Sequence, residues 1–153
     1  MFLAEDIMTK DVVITTPDAS VKGVAQKMNS KQISCIIVSD KKKPIGIISE
    51  RDFIRKVFAK DAKKGMKAKD IMSTPVLSIS PRETVNNAAR LMRENKIRHM
   101  LVTNENKVKG VITETDVLSG ETEYVRAHQF LQNLILALFI TILLLFVMVF
   151  RVF

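Results

Sequence analysis

Two seven-residue stretches share one pattern, GIISERD at 46–52 and GVITETD at 110–116. Each sets a glycine, then apolar residues, then a hydroxyl, then an aspartate three residues on. Gly46 and Gly110 lack a Cβ, so a ligand or a neighbouring backbone can come close. Ser49 and Thr113 place a hydroxyl where a strand ends and a helix begins. The free N–H groups of a helix start favour an anion. Asp52 and Asp116 fall in the first turn, and an ionised carboxylate only accepts hydrogen bonds. It therefore suits a pair of adjacent hydroxyls, as on a ribose. Hydroxyl, helix amides and carboxylate together would cradle a nucleoside phosphate. The same residues also suit a plain helix start, with Ser49 or Thr113 as the cap and the acids complementing the dipole. Such an acid contributes only about 0.3–1 kcal/mol, so Asp52 and Asp116 should each be separable from folding.

Other chemistry is sparse. Glu50 and Asp52, like Glu114 and Asp116, are close carboxylates, but no base or nucleophile pairs with them. The two histidines and the one cysteine lie far apart and have no metal-ligand spacing. No Walker-type or dinucleotide glycine loop occurs. The expectation is a non-catalytic protein with no catalytic cofactor and no metal. Cys35 lies in the apolar run Cys35-Ile36-Ile37-Val38 and reads as a buried structural thiol. A lone cysteine forms no internal disulfide and fits a reducing compartment.

The elements that hold these stretches come in duplicate. Sliding the chain by 64 residues aligns 6–52 with 70–116 without a gap, with 15 identities in 47 positions. Asp6-Ile7-Met8-Thr9 falls on Asp70-Ile71-Met72-Ser73. Each copy predicts a strand (12–15; 76–79) ended by Pro17 or Pro81. A helix follows, with apolar residues at Val21, Val24, Ala25 and Met28, and at Val85, Ala88, Ala89 and Met92. Ser20 and Thr84 read as its N-caps. Two strands follow (36–39 and 45–49; 100–103 and 109–113), then a helix from Glu50 or Glu114. Residues 61–69 read as the linker. The order β-α-β-β-α predicts an α/β fold with helices packed on a small sheet. A unit of about sixty residues buries a marginal core alone, so the halves should share one.

The N-terminus carries no signal peptide pattern. From Phe130 to Phe150 there are 21 uncharged residues, with Gln132, Asn133 and Thr141 the only polar ones. About 20 apolar residues cross the roughly 30 Å hydrocarbon layer, so 130–150 reads as a single-pass, C-terminal anchor. The competing reading is a buried core or oligomerisation helix. Of the net charge of +8, all but the one contributed by Arg151 belongs to the part before the apolar run. It concentrates in Lys41-Lys42-Lys43 and between Arg51 and Lys69. A solvated surface or attraction to anionic lipid suits it better than nucleic acid, for which no motif is visible.

Taken together, the DIMT/DIMS lead, the strand before each proline, the Val-x-x-Ala-Ala-x-x-Met-like helix and the GIISERD/GVITETD end resemble the CBS domain family. The resemblance is to its tandem form, the Bateman module, over about residues 3–120. It implies two repeats paired about a pseudo-twofold axis. It also implies two clefts that bind adenosyl ligands such as AMP, ADP, ATP or S-adenosylmethionine. The family's ribose motif is matched by Gly46, Ser49 and Asp52 and by Gly110, Thr113 and Asp116. By that resemblance the aspartates hold ribose hydroxyls, with Ser49 and Thr113 near ribose or phosphate. Adenine would lie against Ile33 or Ile97. Arg98 and a protonated His99 would meet phosphates, with Arg51 and Arg55 contributing from the other half. The first repeat has Ser34 and Cys35 where the second has Arg98 and His99, so the two clefts should differ.

The resulting expectation is two pseudo-symmetric β-α-β-β-α CBS repeats, 1–61 and 62–123, followed by a C-terminal hydrophobic helix, 124–153. The protein would be a regulatory module that binds an adenosyl ligand, forms a homodimer and signals to a partner, with a membrane protein as one candidate. Its repeats would face the cytoplasm. Two alternatives stay open: a structural or oligomerisation module with empty clefts, and a nucleic-acid-binding regulator that uses the basic surface.

Overall fold

The computed structural model describes residues 2–59, 65–105 and 107–151, with side chains in the last helix described for 114–120 and 129–142. Apolar runs rich in Ile and Val form two three-stranded sheets. In the first, β1 (Ile14–Thr15) runs parallel to β2 (Cys35–Asp40), which pairs antiparallel with β3 (Lys43–Ser49). In the second, β4 (Ser78–Ile79), β5 (His99–Asn104) and β6 (Lys107–Thr113) repeat that order and register. The first strands are shorter than the expected four residues. Val12 and Val76 instead pack at the junction of the two sheets.

The helices follow their apolar spacing. In α2 (Val21–Lys31) Val24 and Met28 are buried, and in α5 (Val85–Glu94) Val85, Ala88 and Met92 are buried. Ala25 breaks the expected stripe and stands exposed. The caps are as expected: Ser20 Oγ accepts from the Gly23 amide at 3.1 Å, and Thr84 Oγ1 from the Asn87 amide at 3.1 Å. After each helix one left-handed residue, Gln32 or Lys96, turns the chain into the next strand.

The DIMT and DIMS leads form two short helices, α1 (Ala4–Ile7) and α4 (Ala68–Ile71). The linker expected over 61–69 therefore ends in helix at Ala68, while 60–64 lie outside the described residues. Each lead packs on the other repeat. Ala4 is buried in the core of β4, α5, β5 and β6, and Ala68 and Ile71 are buried in the core of α2, β2 and β3. Backbone pairs Thr9–Val111 and Leu3–Thr84 join α1's flanks to the second repeat. Ser73–Ile47 and Ser20–Lys67 are the same pairs with the repeats exchanged. Such reciprocity is the mark of a local twofold relation. Ile37, Leu101 and Val111 are buried between the sheets, so the halves share a core as their size requires.

In the first repeat α3 (Glu50–Asp52) widens into a π-helix over Phe53–Phe58. In the second, α6 runs unbroken from Glu114 to Arg151. The helix expected after β6 and the hydrophobic helix expected over 124–153 are thus one element. Val117 anchors it in the second core, and Gly120 lets it close on Ile7. Farther along, the described apolar side chains stand in the open, from Ile140 at 47% to Phe130 at 70% exposed, so the buried-core reading of the tail fails for them. Among the described residues no helix is long and apolar enough to cross a membrane. The bilayer span expected over 130–150 is not met there, because the described stretch 130–142 covers only about 20 Å at 1.5 Å per residue.

The glycines of the duplicated stretch are used by the fold. A Cβ at Gly46 would meet the Met72 side chain, and one at Gly110 would stand 2.8 Å from the Thr9 carbonyl oxygen. Backbone cannot step aside as a flexible side chain can. Gly110→Ala should therefore cost about 1–3 kcal/mol, read as a lower urea midpoint at an unchanged slope.

Candidate functional site

The end of β3 delivers Ser49, and the turn into α3 brings Asp52 back beneath it. Asp52 is only 8% exposed. Its Oδ2 accepts from the Ser49 amide at 2.8 Å and the Ser49 hydroxyl at 2.7 Å. Its Oδ1 accepts from the Ser73 hydroxyl at 2.7 Å and faces Lys56 Nζ at 3.0 Å. Lys56 also donates to the carbonyls of Ile71 and Met72, which fastens the second repeat's lead to the first repeat. Asp52 is thus the helix-start acid and the tie between repeats at once. All four contacts lie on one carboxylate. The expectation that it is separable from folding does not hold, because its loss would leave partly buried donors unpaired.

Asp116 is less engaged. Its Oδ2 accepts from the Thr113 amide and hydroxyl, both at 2.8 Å, and Oδ1 has no hydrogen bond among the described residues. The position of Lys56 is taken by Gly120 in the second repeat, where a lysine would meet Ile7.

Cavities lie between the repeats, and two of them hold the duplicated hydroxyls. The first, about 250 Å³, joins Ser49, Asp52, Arg51 and Arg55 of the first repeat to Ile97, Arg98 and His99 of the second. Lys56, Ser73 and Lys96 also line it. A neighbouring cavity of about 430 Å³ shares Arg51, Lys96, Ile97 and Arg98 with it and extends along α5 and α6. The other interface cavity, about 290 Å³, joins Thr113 to Ile33, Ser34 and Cys35, with Thr9 where the first has Ser73. The expected residues are therefore brought together across the repeats, the hydroxyl from one and the Ile from the other. Gly46 and Gly110 line neither cavity, because Met72 and Met8 fill the space a Cβ would take. Asp116 is not among the lining residues of the second cavity.

The charges are unequal. The first cavity is lined by Arg51, Arg55, Lys56, Lys96 and Arg98, against Glu50 and Asp52. The corresponding positions of the other copy are Thr115, Ser119, Gly120, Gln32 and Ser34. Arg98 pairs through Nε with Glu114 at 3.2 Å, but both side chains are exposed, so the pair holds it weakly. His99 hydrogen-bonds the Ser34 hydroxyl across the interface at 3.0 Å. Burial holds its imidazole below the ordinary value, against the pull of Glu50 and Asp52. It is therefore neutral near pH 7 and supplies a hydrogen bond there, while the positive charge comes from Arg and Lys. Burial, aided by the Asp116 charge, pushes the Cys35 thiol up to about 12, an unreactive state.

Sequence reasoning missed Lys56, Ser73 and Lys96. Lys56 stands four residues after Asp52, the spacing of a helical ion pair. Ser73 aligns with Thr9 in the repeat, so a hydroxyl occurs in both leads. Lys96 directly precedes Ile97 and had no signal of its own.

Residues 4–59 and 68–122 each match the CBS domain family. The chain belongs to that family. Protein MK0525 of Methanopyrus kandleri is 35% identical over 119 residues, covering 76% of this chain and 61% of its own. Protein MJ0450 of Methanocaldococcus jannaschii is 28% identical over 134 residues, covering 85% and 72%. The chain thus spans somewhat under two thirds of the first of these relatives. Among solved structures, the CBS domain NE2398 superposes with a TM-score of 0.74 at 29% identity, covering 80% of this chain and 99% of that one. CBSX2, solved in complex with AMP, shares the fold at a TM-score of 0.71 and 20% identity, covering 80% and 98%. The CBS repeats observed here are therefore the expected tandem pair.

Desolvation drives the Asp52 carboxyl up, but the bonds from Ser49, Ser73 and Lys56 outweigh it and hold it below the ordinary range. A depressed folded value adds stability above the unfolded value of about 3.9 and loses it as pH falls through the folded one. The stability gap between wild type and Asp52→Asn should be flat from pH 5 to 8, roughly, and close below about pH 4. Asp52→Ala should cost about 1–3 kcal/mol. Asp116→Ala, with fewer partners, should cost less in the same urea titration.

Proposed function

We propose that this CBS pair is a non-catalytic regulatory module that takes a phosphorylated adenosyl ligand in the cavity between Ser49–Asp52 and Ile97–His99. The observation that carries this is the cavity's lining, drawn from both repeats and strongly basic. The ribose would meet Ser49 and Asp52, the adenine would lie near Ile97, and the phosphates would lie among Arg51, Arg55, Lys96 and Arg98. Asp52 already accepts four hydrogen bonds, so a ribose hydroxyl would displace or share one of them, with Ser73 as the exchangeable partner. The positive lining favours AMP, ADP or ATP over S-adenosylmethionine, whose sulfonium is itself a cation. The cavity formed by Thr113, Ile33, Ser34 and Cys35 has Asp11 and no basic residue in its described lining, so it would suit an uncharged nucleoside or nothing rather than a phosphate. A ligand that touches both repeats would shift their setting, which a partner, or a second copy in a homodimer, could read.

A thermal-shift and calorimetric series on the full chain tests this. A ligand at about 100 times its Kd should add about 2.7 kcal/mol. AMP or ADP should bind more tightly than adenosine. Arg98→Gln should erode that difference by about tenfold, as expected for one charge-assisted phosphate contact. If no adenosyl compound shifts the melt at millimolar concentration, the empty-cleft structural module replaces this reading. Equal losses for AMP and adenosine would return Arg98 to the solvated surface.

The tail belongs to the same proposal. The 21 uncharged residues of 130–150 and the exposure of the described side chains support a membrane anchor, and the basic surface ahead of it suits the anionic cytoplasmic leaflet. The full chain should sediment with membranes and resist carbonate extraction. A full chain that stays in solution as a large assembly without detergent would make the tail an oligomerisation helix.

A further inference from the structure

The β2–β3 turn and the start of β6 stand side by side over a groove of about 670 Å³ on which the nucleotide reading makes no demand. Lys27, Lys41, Lys42 and Lys107 line it together with the hydroxyl side chains of Thr15, Thr16 and Ser39, and among the described residues no acidic one does. Lys41 and Lys42 form the two-residue turn, both left-handed at φ 47° and 69°, so the turn itself fixes where they stand. Lys27 donates to the Ile14 carbonyl at 2.7 Å. Lys41, Lys42 and Lys107 have no ion pair among the described residues, while Asp40 and Glu105 only flank the turns.

The tail leaves from this end. β6 runs from Lys107 to Thr113, where α6 begins beside Met92 and Arg93 at the C-terminal end of α5. Gly120 then touches Ile7, whose helix α1 is bonded to Glu83 and, through Phe2, to Val85 at the N-terminal end of α5. The direction of α6 is therefore back along β6, toward the lysine turns. From Thr113 to Lys107 is about 20 Å of strand. From Glu114 to Phe130 is about 24 Å of helix. The apolar run thus emerges level with the lysines.

We infer that the lysine groove seats anionic phospholipid headgroups of the bilayer that the tail enters, which clamps the CBS pair against the membrane surface. This rests on the anchor reading above. Four ammonium groups and the Thr15 and Thr16 hydroxyls match headgroup phosphate oxygens, while the Ser39 hydroxyl donates to the Lys43 carbonyl at 3.0 Å. Basic residues beside a membrane helix are drawn to an anionic leaflet. The nucleotide cavity opens between the other ends of the strands, so a seated domain leaves it free.

The test uses the full chain with phosphatidylcholine vesicles and with vesicles that also contain about 30 mol % phosphatidylglycerol. Flotation with the neutral vesicles reads the anchor. Amide exchange at 40–43 and 105–109 reads the groove. Exchange there should slow about tenfold on the anionic vesicles relative to the neutral ones, and the difference should vanish at about 0.5 M NaCl. It should also vanish in the variant Lys41→Gln/Lys42→Gln/Lys107→Gln, which should melt and float on neutral vesicles like wild type. Equal exchange on the two vesicles overturns the inference and leaves the anchor standing. Equal protection by inorganic phosphate on neutral vesicles overturns it in favour of a free anion, and stronger protection by an RNA oligonucleotide overturns it in favour of nucleic acid. If neutral vesicles do not float the protein, the anchor fails. Lysine-dependent flotation on anionic vesicles would then still uphold the headgroup contact, and none would overturn it.

Discussion

Neither repeat of this chain owns a complete core. The layer of α2 and its sheet is closed by Ala68 and Ile71 from the second repeat's lead, and the layer of α5 by Ala4 from the first. A unit of this size exposes too much of its apolar surface to be stable alone. Exchange of the leads repairs both halves at once and fixes their relative setting. The contacts between Ile37, Leu101 and Val111 then seal a joint that the leads have already aligned.

The site inherits its shape from that exchange. Ser73 belongs to the arm that carries α4, yet its hydroxyl reaches Asp52 in the other repeat, and Lys56 clasps the same arm by two carbonyls. Cavity and joint therefore share atoms. A ligand that competes for Ser73 or Asp52 acts on the same bonds that set the angle between repeats. Coupling of this kind needs no distant relay, since the binding group and the moving part are in contact.

The duplication made much of this legible in sequence. The two sheets and the capped helices α2 and α5 follow from period, cap and repeat, and the clefts between the repeats from the family resemblance, while the pairing of Ser49 with Ile97 and of Thr113 with Ile33 comes from the structure. What stayed hidden was relational. The spacing of DIMT and DIMS shows that the leads are equivalent, but not that each crosses to the other repeat, because exchanged and unexchanged leads have the same local pattern. For the same reason Gly46 and Gly110 read equally well as ligand approaches, and only packing reveals Met72 and Met8 against them. Asp52 and Asp116 look alike in sequence and differ in partners, because Lys56 is long enough to bridge and Gly120 is not.

That difference points to where the copies could diverge. Positions facing the cores remain apolar in both halves, since cavities or overpacking there are costly. The cavity rims carry no such penalty. There Arg51, Arg55, Lys96 and Arg98 stand against Thr115, Ser119, Gln32 and Ser34. One rim gathers charge and the other sheds it, while the backbone frame is held by the same hydrogen bonds in each. Four like charges in both clefts would set two cationic clusters on either side of one small joint, and their mutual repulsion would oppose its closure. Concentrating the positive charge on one rim gives the pair a strong anion site and leaves the opposite cleft, lined by Asp11 with Ser34 and Cys35, without a cationic cluster to oppose closure of the joint.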